Sequence, residues 1–311
     1  MNHASARRLL QLVLLVQLGI ALAIAAALVA AGTPAWLALP AGAGAVALAR
    51  LAINLNNFLL SSLAASPTPP DFRLGWPARL RLFGEEFRAS MLVTSWHVPR
   101  GRAGMRVHAD SLYAPVLLVH GYGCNSGYWA WLTPLLDAAR ISHAGVDLAP
   151  VGGDIDDFAA QLEARVQAFC AATGAPRVAI VGHSMGGLVA RAWMRRYGAA
   201  RAGRVVTLGT PHHGTALARF GPGLNALQMR VDSPWLRALA AAETADTRAR
   251  ITSIYTHQDN IVAPQTTAEL AGARNLAFGG VGHVALGCNP RVLAALMAEL
   301  QSVPAHADAR P

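Results

Sequence analysis

The stretch that decides the fold runs Val178-Ala179-Ile180-Val181-Gly182-His183-Ser184-Met185-Gly186-Gly187. The apolar residues of Arg177–Val181 predict a buried strand, and the pattern from Met185 to Tyr197 predicts a helix. The intervening G-x-S-x-G pattern indicates a strained strand-to-helix turn, in which small residues at 182 and 186 let the two backbones pass closely. We therefore expect the Ser184 hydroxyl to stand at the carboxyl edge of a sheet, at the N-terminus of a helix.

Strand-like and helical patterns alternate on both sides of this turn. Such alternation predicts an α/β fold with a mostly parallel sheet flanked by helices. The other predicted strands are Phe87–Val98, Pro115–Val119, Ser142–Leu148, Val205–Leu208, Ile251–Thr256 and Asn275–Phe278. The other predicted helices are Trp129–Ala139, a helix capped by Asp154 and ended by Gly174, and Arg291–Leu300.

A serine is a weak nucleophile, so it needs a base, and the base needs an acid to orient it. After a G-x-S-x-G turn the acid and then the histidine follow along the chain. Asp259 lies in a loop directly after the strand Ile251–Thr256, whereas the other downstream acids lie in helical or tail patterns. His283 follows it in a glycine-rich loop, which makes Ser184, Asp259 and His283 the candidate catalytic residues.

An oxyanion hole needs two backbone N–H groups aimed at one point. Met185, directly after the serine, is the first expected donor. The second should come from the loop after an earlier central strand, where the sequence reads His120-Gly121-Tyr122-Gly123. Tyr122 is therefore the second expected donor.

At these residues the chain resembles the lipase and esterase branch of the α/β-hydrolase superfamily, which includes triacylglycerol lipases. The string Leu208-Gly209-Thr210-Pro211-His212-His213-Gly214-Thr215 adds to the resemblance, which covers about residues 110–300. It implies the α/β-hydrolase fold, cleavage of acyl esters through an acyl-enzyme, and no cofactor. It also suggests that residues 210–250 form a lid over the acyl pocket, although ordinary helices packed on the sheet fit the same pattern.

The resemblance leaves the reaction open at one point. The same triad serves acyl transfer and the hydrolysis of thioesters and amides, and an inactive membrane scaffold on this fold is a further alternative. We find no metal motif, because the chain has no C-x-x-C and the adjacent His212 and His213 are poorly placed to share one ion.

The composition of the 311 residues excludes several classes of protein. With 53% hydrophobic residues the chain is not intrinsically disordered, and its three cysteines exclude a disulfide-stapled scaffold. All of its basic side chains are arginine, and the net charge of +9 is concentrated near the N-terminus. Because no nucleic-acid-binding motif accompanies that charge, we expect no nucleic-acid partner and attribute the excess to the flanks of a membrane segment.

The N-terminal 60 residues carry no charge between Arg8 and Arg50. Residues 9–31 are long enough to cross a hydrocarbon core. Residues 36–59 form a weaker second apolar stretch, which either crosses as well or lies in the interface. We expect a membrane anchor over 1–60, a linker over 61–71, the hydrolase domain over 72–303 and a flexible tail over 304–311. The arginines on both sides of the two spans predict a multi-pass protein of the inner membrane with a cytoplasmic catalytic domain. The alternative is a signal peptide cleaved near Ala31, with an exported domain.

Overall fold

The fold is described by a computed structural model that covers residues 5–305. Most of the tail predicted over 304–311, including His306, lies outside these residues. The first residues of the predicted tail are bonded to the sheet domain, because the Ala305 N–H donates to the carbonyl of Leu112.

A seven-stranded sheet with the order β1-β3-β2-β4-β5-β6-β7 forms the centre of the molecule. Strand β1 is antiparallel to β3, and every other neighbouring pair is parallel. The strands are β1 Met105–Arg106, β2 Val116–Val119, β3 His143–Val146, β4 Val178–His183, β5 Ala202–Leu208, β6 Ile251–Thr256 and β7 Arg274–Phe278. The predicted fold class is confirmed, since this is a mostly parallel sheet with helices on both faces.

The helices cover the sheet from two sides and enclose two separate apolar cores. They are α1 Ala6–Ala30, α2 Ala35–Ser62, α3 Trp76–Leu92, α4 Val98–Arg100, α5 Thr133–Ala138, α6 Ile155–Thr173, α7 Met185–Tyr197, α8 Leu224–Gln228, α9 Pro234–Ala241, α10 Ala245–Ala249 and α11 Pro290–Gln301. One core is formed by α6 and α7 against the sheet, where Phe158, Leu162, Val166 and Phe169 are fully buried at helical spacing. The other lies beneath α3, α5 and α11.

The strand predicted over Phe87–Val98 is wrong. Those residues continue α3 to Leu92, pass through a π-helical turn at Val93–His97, and end in α4. The buried positions Leu82, Glu86, Ala89 and Val93 follow a helical period. Because one of the four is a carboxylate, the apolar pattern of this face is interrupted in the sequence.

The two N-terminal helices α1 and α2 form an antiparallel hairpin and are candidate membrane spans. Small residues make their contact: a Cβ on Gly42 would meet the carbonyl oxygen of Ala21, and Ala25 and Ala38 are buried beside it. Small residues four apart on both helices are typical of close helix packing in membranes. The outward faces carry large apolar side chains that are more than half exposed, among them Leu12, Leu15, Leu48 and Ile53.

The open ends of the hairpin are attached to the sheet domain. At the start of α1, the Gln11 side chain donates to the carbonyl of Pro99. In α2, the Arg50 guanidinium donates to Thr94 Oγ1 at 2.7 Å and to Ser95 Oγ at 2.5 Å. These contacts place the second half of α2 against the π-helical turn after α3.

Residues 61–71, expected to be a linker, run along the surface of the sheet domain. The helix α2 continues to Ser62, and Pro70–Phe72 form a turn of 3₁₀-helix. The Ser66 N–H donates to Gln265 Oε1 at 3.1 Å, and the Gln258 amide donates to the carbonyl of Phe72 at 3.0 Å. The segment is therefore bonded to the loop after β6.

The segment 210–250, expected as a lid, divides into two parts. In α9, Leu236 and Leu239 are buried in the core beside α7. The preceding turn Ala216–Phe220 lies nearer the surface, where Phe220 is 59% exposed, and α8 buries Asn225 and Ala226 beside it. The second part thus packs as ordinary helix, whereas the first part covers the carboxyl edge of the sheet.

Candidate active site

Ser184 stands at the junction of β4 and α7, as the sequence predicts. Its backbone has φ 53° and ψ −121°, a left-handed conformation that costs a non-glycine residue about 1–3 kcal/mol. The neighbouring glycines are required by close backbone contacts. A Cβ on Gly182 would lie 2.5 Å from the nitrogen of Gly187, and one on Gly186 would lie 2.2 Å from the carbonyl oxygen of Val119. Dense packing therefore holds the serine in its strained conformation.

Asp259 and His283 are brought together at the same edge of the sheet. His283 Nδ1 lies 2.8 Å from Asp259 Oδ2, and both side chains are buried. The other carboxylate oxygen, Oδ1, accepts the N–H groups of Ile261 and Val262 at 2.8 and 2.7 Å. Since the carboxylate is an acceptor, Nδ1 carries the proton, and Nε2 is left free to accept one.

The charge state of His283 depends on opposing effects. Burial lowers the pKa of the imidazole, but the Asp259 carboxylate, and more weakly Glu86, outweigh it and raise the pKa above its ordinary value. His183, which lies beside it with ring centroids 4.7 Å apart, is neutral, because burial and the neighbouring His283 hold its pKa well below the usual range. His183 Nε2 donates to the carbonyl of His283 at 3.2 Å.

The Ser–His contact remains a prediction. Within residues 5–305, the hydrogen bonds of the site do not include one between Ser184 Oγ and His283 Nε2. Catalytic hydrogen bonds are often long in ligand-free enzymes and tighten when substrate binds.

The expected oxyanion donors lie in two segments that pack directly on each other. A Cβ on Gly121 would lie 3.1 Å from Ser184 Cβ, so the loop that carries Tyr122 runs against the serine turn. Met185 is the first residue of α7, whose N-terminal N–H groups have no partner within the helix. The assignment of Tyr122 and Met185 to an oxyanion hole remains a prediction, with this packing in its favour.

His120 fixes the loop that contains Tyr122. Its Nε2 accepts the N–H of Leu148 at 2.9 Å, so Nδ1 carries the proton and donates to the carbonyl of Gly121 at 2.8 Å. Burial lowers the pKa of His120, which keeps the ring neutral. The histidine is thus a structural residue of the site, and it precedes Asp259 in the chain, whereas the base is expected after the acid.

A cavity of about 620 Å³ opens above Ser184. Its walls are mostly apolar and include Leu217, Ala218, Phe220 and Met229 from the segment after β5, together with Tyr122. Three further lining residues, Asn56, Asn57 and Leu60, come from α2. A cavity of this size and character suits a mostly apolar small-molecule ligand.

Sequence reasoning missed Glu86. It is 1% exposed, and its two oxygens accept the N–H groups of Val284 and Ala285, at 3.0 and 2.9 Å. Burial raises the pKa of Glu86, and these two hydrogen bonds offset the effect only in part. The sequence does contain a signal for it: Glu86 lies on the same helical face as Leu82 and Ala89. The strand predicted from Phe87 onward hid this helical spacing.

The remaining histidines and cysteines have other surroundings. His212 is buried against Arg191, whose guanidinium donates to the His212 carbonyl at 3.0 Å. Burial raises the pKa of the Cys124 thiol to about 12, so it is a poor nucleophile at neutral pH. In the described part of the chain, one group, His108, Asp137 and His143, has the spacing of metal ligands. Its carboxylate already accepts from His108 and Arg106, and its residues do not line the cavity above Ser184.

Known proteins share this fold. The sequence model for the alpha/beta hydrolase fold matches residues 114–232, which include the Ser184 turn and the Tyr122 loop. The chain is an α/β-hydrolase-fold protein. Among solved structures, the mature lipase of Bacillus licheniformis aligns with a TM-score of 0.57 at 21% identity, over 64% of this chain and 97% of that one. Lipase B of Aspergillus fumigatus aligns with a TM-score of 0.54 at 17% identity, over 65% and 57%. At these identities the likeness is one of fold.

Two sequence relatives of this chain are named triacylglycerol lipases. The one from Burkholderia plantarii is 31% identical over 192 residues, which are 57% of this chain and 52% of the relative. The one from Pseudarthrobacter phenanthrenivorans is 31% identical over 181 residues, 54% of this chain and 55% of the relative. The chain thus spans about half the length of the curated relatives that it matches.

Proposed function

We propose that this α/β hydrolase is a serine ester hydrolase that cleaves acyl esters, with lipids as its natural substrates. The observation that carries the proposal is the buried Asp259–His283 pair at the sheet edge where Ser184 faces a mostly apolar cavity. The two lipase relatives support the choice of acyl esters over other substrates of the fold.

The mechanism follows from the protonation states. Ser184 Oγ attacks the ester carbonyl while His283 Nε2 takes its proton, and Asp259 stabilises the imidazolium that forms. The N–H groups of Tyr122 and Met185 stabilise the oxyanion. The imidazolium then protonates the leaving alcohol, and a water activated by His283 hydrolyses the acyl-enzyme to release the acid.

The hairpin of α1 and α2 supports a second part of the proposal, that the enzyme is anchored in a membrane. The core helix of a soluble protein is buried, whereas both helices expose large apolar side chains along most of their length. Their small-residue contact favours a pair of spans over a cleaved signal peptide. With Arg7 and Arg8 at the open end and Arg50 in the second half of α2, we propose that the catalytic domain lies on the cytoplasmic side of the inner membrane.

Hydrolysis of p-nitrophenyl esters of increasing chain length tests the activity, with Ser184→Ala as the matched blank. We expect wild-type activity that the variant lacks, and rates that rise with chain length. Equal rates in both proteins would remove the serine mechanism. A preference for the shortest esters would contradict the proposal that lipids are the natural substrates. Acyl transfer to an added alcohol without net hydrolysis would favour the acyltransferase alternative. A reporter fused to the C-terminus tests the orientation of the domain.

A further inference from the structure

The cavity above Ser184 has walls from two separate parts of the chain. Leu217, Phe220 and Met229 belong to the hydrolase fold, whereas Asn56, Asn57 and Leu60 belong to α2. The sequence model for the alpha/beta hydrolase fold matches residues 114–232, so α2 lies outside the part of the chain that this model describes. Part of the substrate site is therefore supplied by a helix of the N-terminal hairpin.

Several contacts fix α2 in this position. Arg50 donates to Thr94 and Ser95, and the Phe58 ring packs on Phe83 of α3 with centroids 5.7 Å apart. Beyond the end of α2, Ser66 is hydrogen-bonded to Gln265. Since these contacts lie on both sides of residues 56–60, the wall is a built part of the site.

The chemistry of α2 changes where it meets the cavity. Upstream of this point the helix is a candidate membrane span with exposed leucines and isoleucine. At the cavity it presents the two amides of Asn56 and Asn57 beside the apolar Leu60. A ligand lying against this wall meets hydrogen-bonding groups and apolar surface together, as the ester region and the chain of a lipid require.

We propose that α2 is a wall of the acyl-binding site and that the substrate is a long-chain acyl lipid taken from the membrane that holds this helix. The inference rests on the proposed function, since the acyl group is the one that Ser184 would receive. It extends that function by placing the chain against Leu60 and the polar part of the lipid near Asn56 and Asn57.

A covalent probe tests the position of the chain directly. A fluorophosphonate with a long alkyl chain and a terminal diazirine is reacted with the full-length protein in detergent micelles, irradiated and mapped by mass spectrometry. We expect cross-links within the α2 segment around residues 56–60. Cross-links confined to residues 211–229 would overturn the inference but leave the proposed function intact. A failure to label Ser184 would remove both.

Kinetics with matched variants give a second test. Leu60→Trp fills the cavity from the side of α2, and Leu59→Trp makes the same change at a neighbour that is 58% exposed and does not line the cavity. We expect Leu60→Trp to lower kcat/KM for p-nitrophenyl palmitate about tenfold or more relative to kcat/KM for the butyrate ester. Leu59→Trp should change neither. Equal effects of the two variants would overturn the inference. Activity that persists in Ser184→Ala would instead contradict the proposed function.

A different observation carries a second inference, on Glu86. Its carboxylate binds the two N–H groups that directly follow His283, and on the other side Asn260 Oδ1 accepts the His283 N–H at 3.0 Å. Gly282 has to be a glycine here, because a Cβ would lie 2.5 Å from Glu86 Oε2. The carboxylate therefore lies against the backbone on both sides of the catalytic histidine.

The geometry points to Glu86 as a positioning residue that holds His283 in line with Ser184. The charged and titratable groups that face His283 are Asp259 from the loop after β6, Glu86 from α3 and His183 at the end of β4. Glu86 thus contributes both to the place of the imidazole and to the negative charge beside it.

Glu86→Gln tests this role, with Glu85→Gln at the exposed adjacent position as the control. We expect kcat to fall about 10- to 100-fold with little change in KM, because a small displacement of the base slows proton transfer. The acid limb of kcat/KM should move to lower pH. Glu86→Asp keeps the charge, so it should lower kcat and leave the acid limb in place; this variant also serves if Glu86→Gln does not fold. A drop in melting temperature with kcat and the pH profile both unchanged would reduce Glu86 to a purely structural role.

Discussion

Asp259 Oδ2 lies 2.8 Å from His283 Nδ1, and the two residues are 24 positions apart in the chain. Two backbone N–H groups hold the other oxygen of the same carboxylate, so its direction is fixed from both sides. The pair sets the tautomer of the imidazole and leaves Nε2 free to accept a proton.

Asp259→Asn should lower kcat by about 10⁴-fold, because an amide can donate to Nδ1 and favour the wrong tautomer of His283. Initial rates on p-nitrophenyl esters measure the effect. Asp246→Asn, at an exposed position in α10, is the control and should leave kcat unchanged. A loss of less than about tenfold would show that Asp259 is not the acid of the triad.

The pH dependence of kcat/KM should show an acid limb with a pKa above the ordinary imidazole value of about 6.5. The sign follows from the net effect of Asp259 and Glu86, which raises the pKa of His283, while only the neutral imidazole acts as a base. Activity therefore rises with pH through that pKa. A profile that is flat down to pH values well below it would contradict the assignment of His283.

Gly186→Ala should destabilise the fold by about 1–3 kcal/mol or more, because the new methyl group would lie 2.2 Å from the carbonyl oxygen of Val119. Thermal unfolding measures the change. Gly84→Ala, where no atom lies within 4 Å of the added Cβ, is the matched control and should unfold at the same or a higher temperature. Equal melting temperatures for the two variants would mean that the turn at Gly186 can accommodate a methyl group.

Glu243→Gln should destabilise the protein by about 3–5 kcal/mol, since it leaves the Arg191 guanidinium without its buried counter-charge. Arg191 donates to both carboxylate oxygens at 2.6 and 2.9 Å, and the two side chains are 0% and 1% exposed. Urea unfolding measures the loss. Glu269→Gln removes a partly buried carboxylate that accepts from Tyr255, and a comparable loss there would argue against a special role for burial.

The parts of the fold that could be predicted are those with local signals. The strand Ile251–Thr256 has the predicted bounds, and α6 begins after Asp154 and ends at Gly174, whose φ of 70° suits glycine. These elements are specified by caps, turns and apolar runs within a few residues of each other.

The features that could not be predicted from the sequence depend on contacts between distant segments. The buried Glu86 interrupts the apolar period of α3. Its two carboxylate oxygens accept hydrogen bonds from N–H groups almost 200 positions later in the chain. Likewise, nothing near Asn56 or Leu60 in the sequence indicates that α2 lines the cavity above Ser184. Such contacts are formed only when the chain is folded.

In the membrane-anchored enzyme that we propose, the attachment of Arg50 to Thr94 and Ser95 has a kinetic consequence. A domain clamped to its own anchor cannot tumble freely, so its cavity keeps one direction relative to the bilayer. Such an enzyme searches for substrate in two dimensions. Its rate then follows the surface density of the lipid, and dilution of that lipid among inert neighbours slows turnover even when the bulk amount is unchanged.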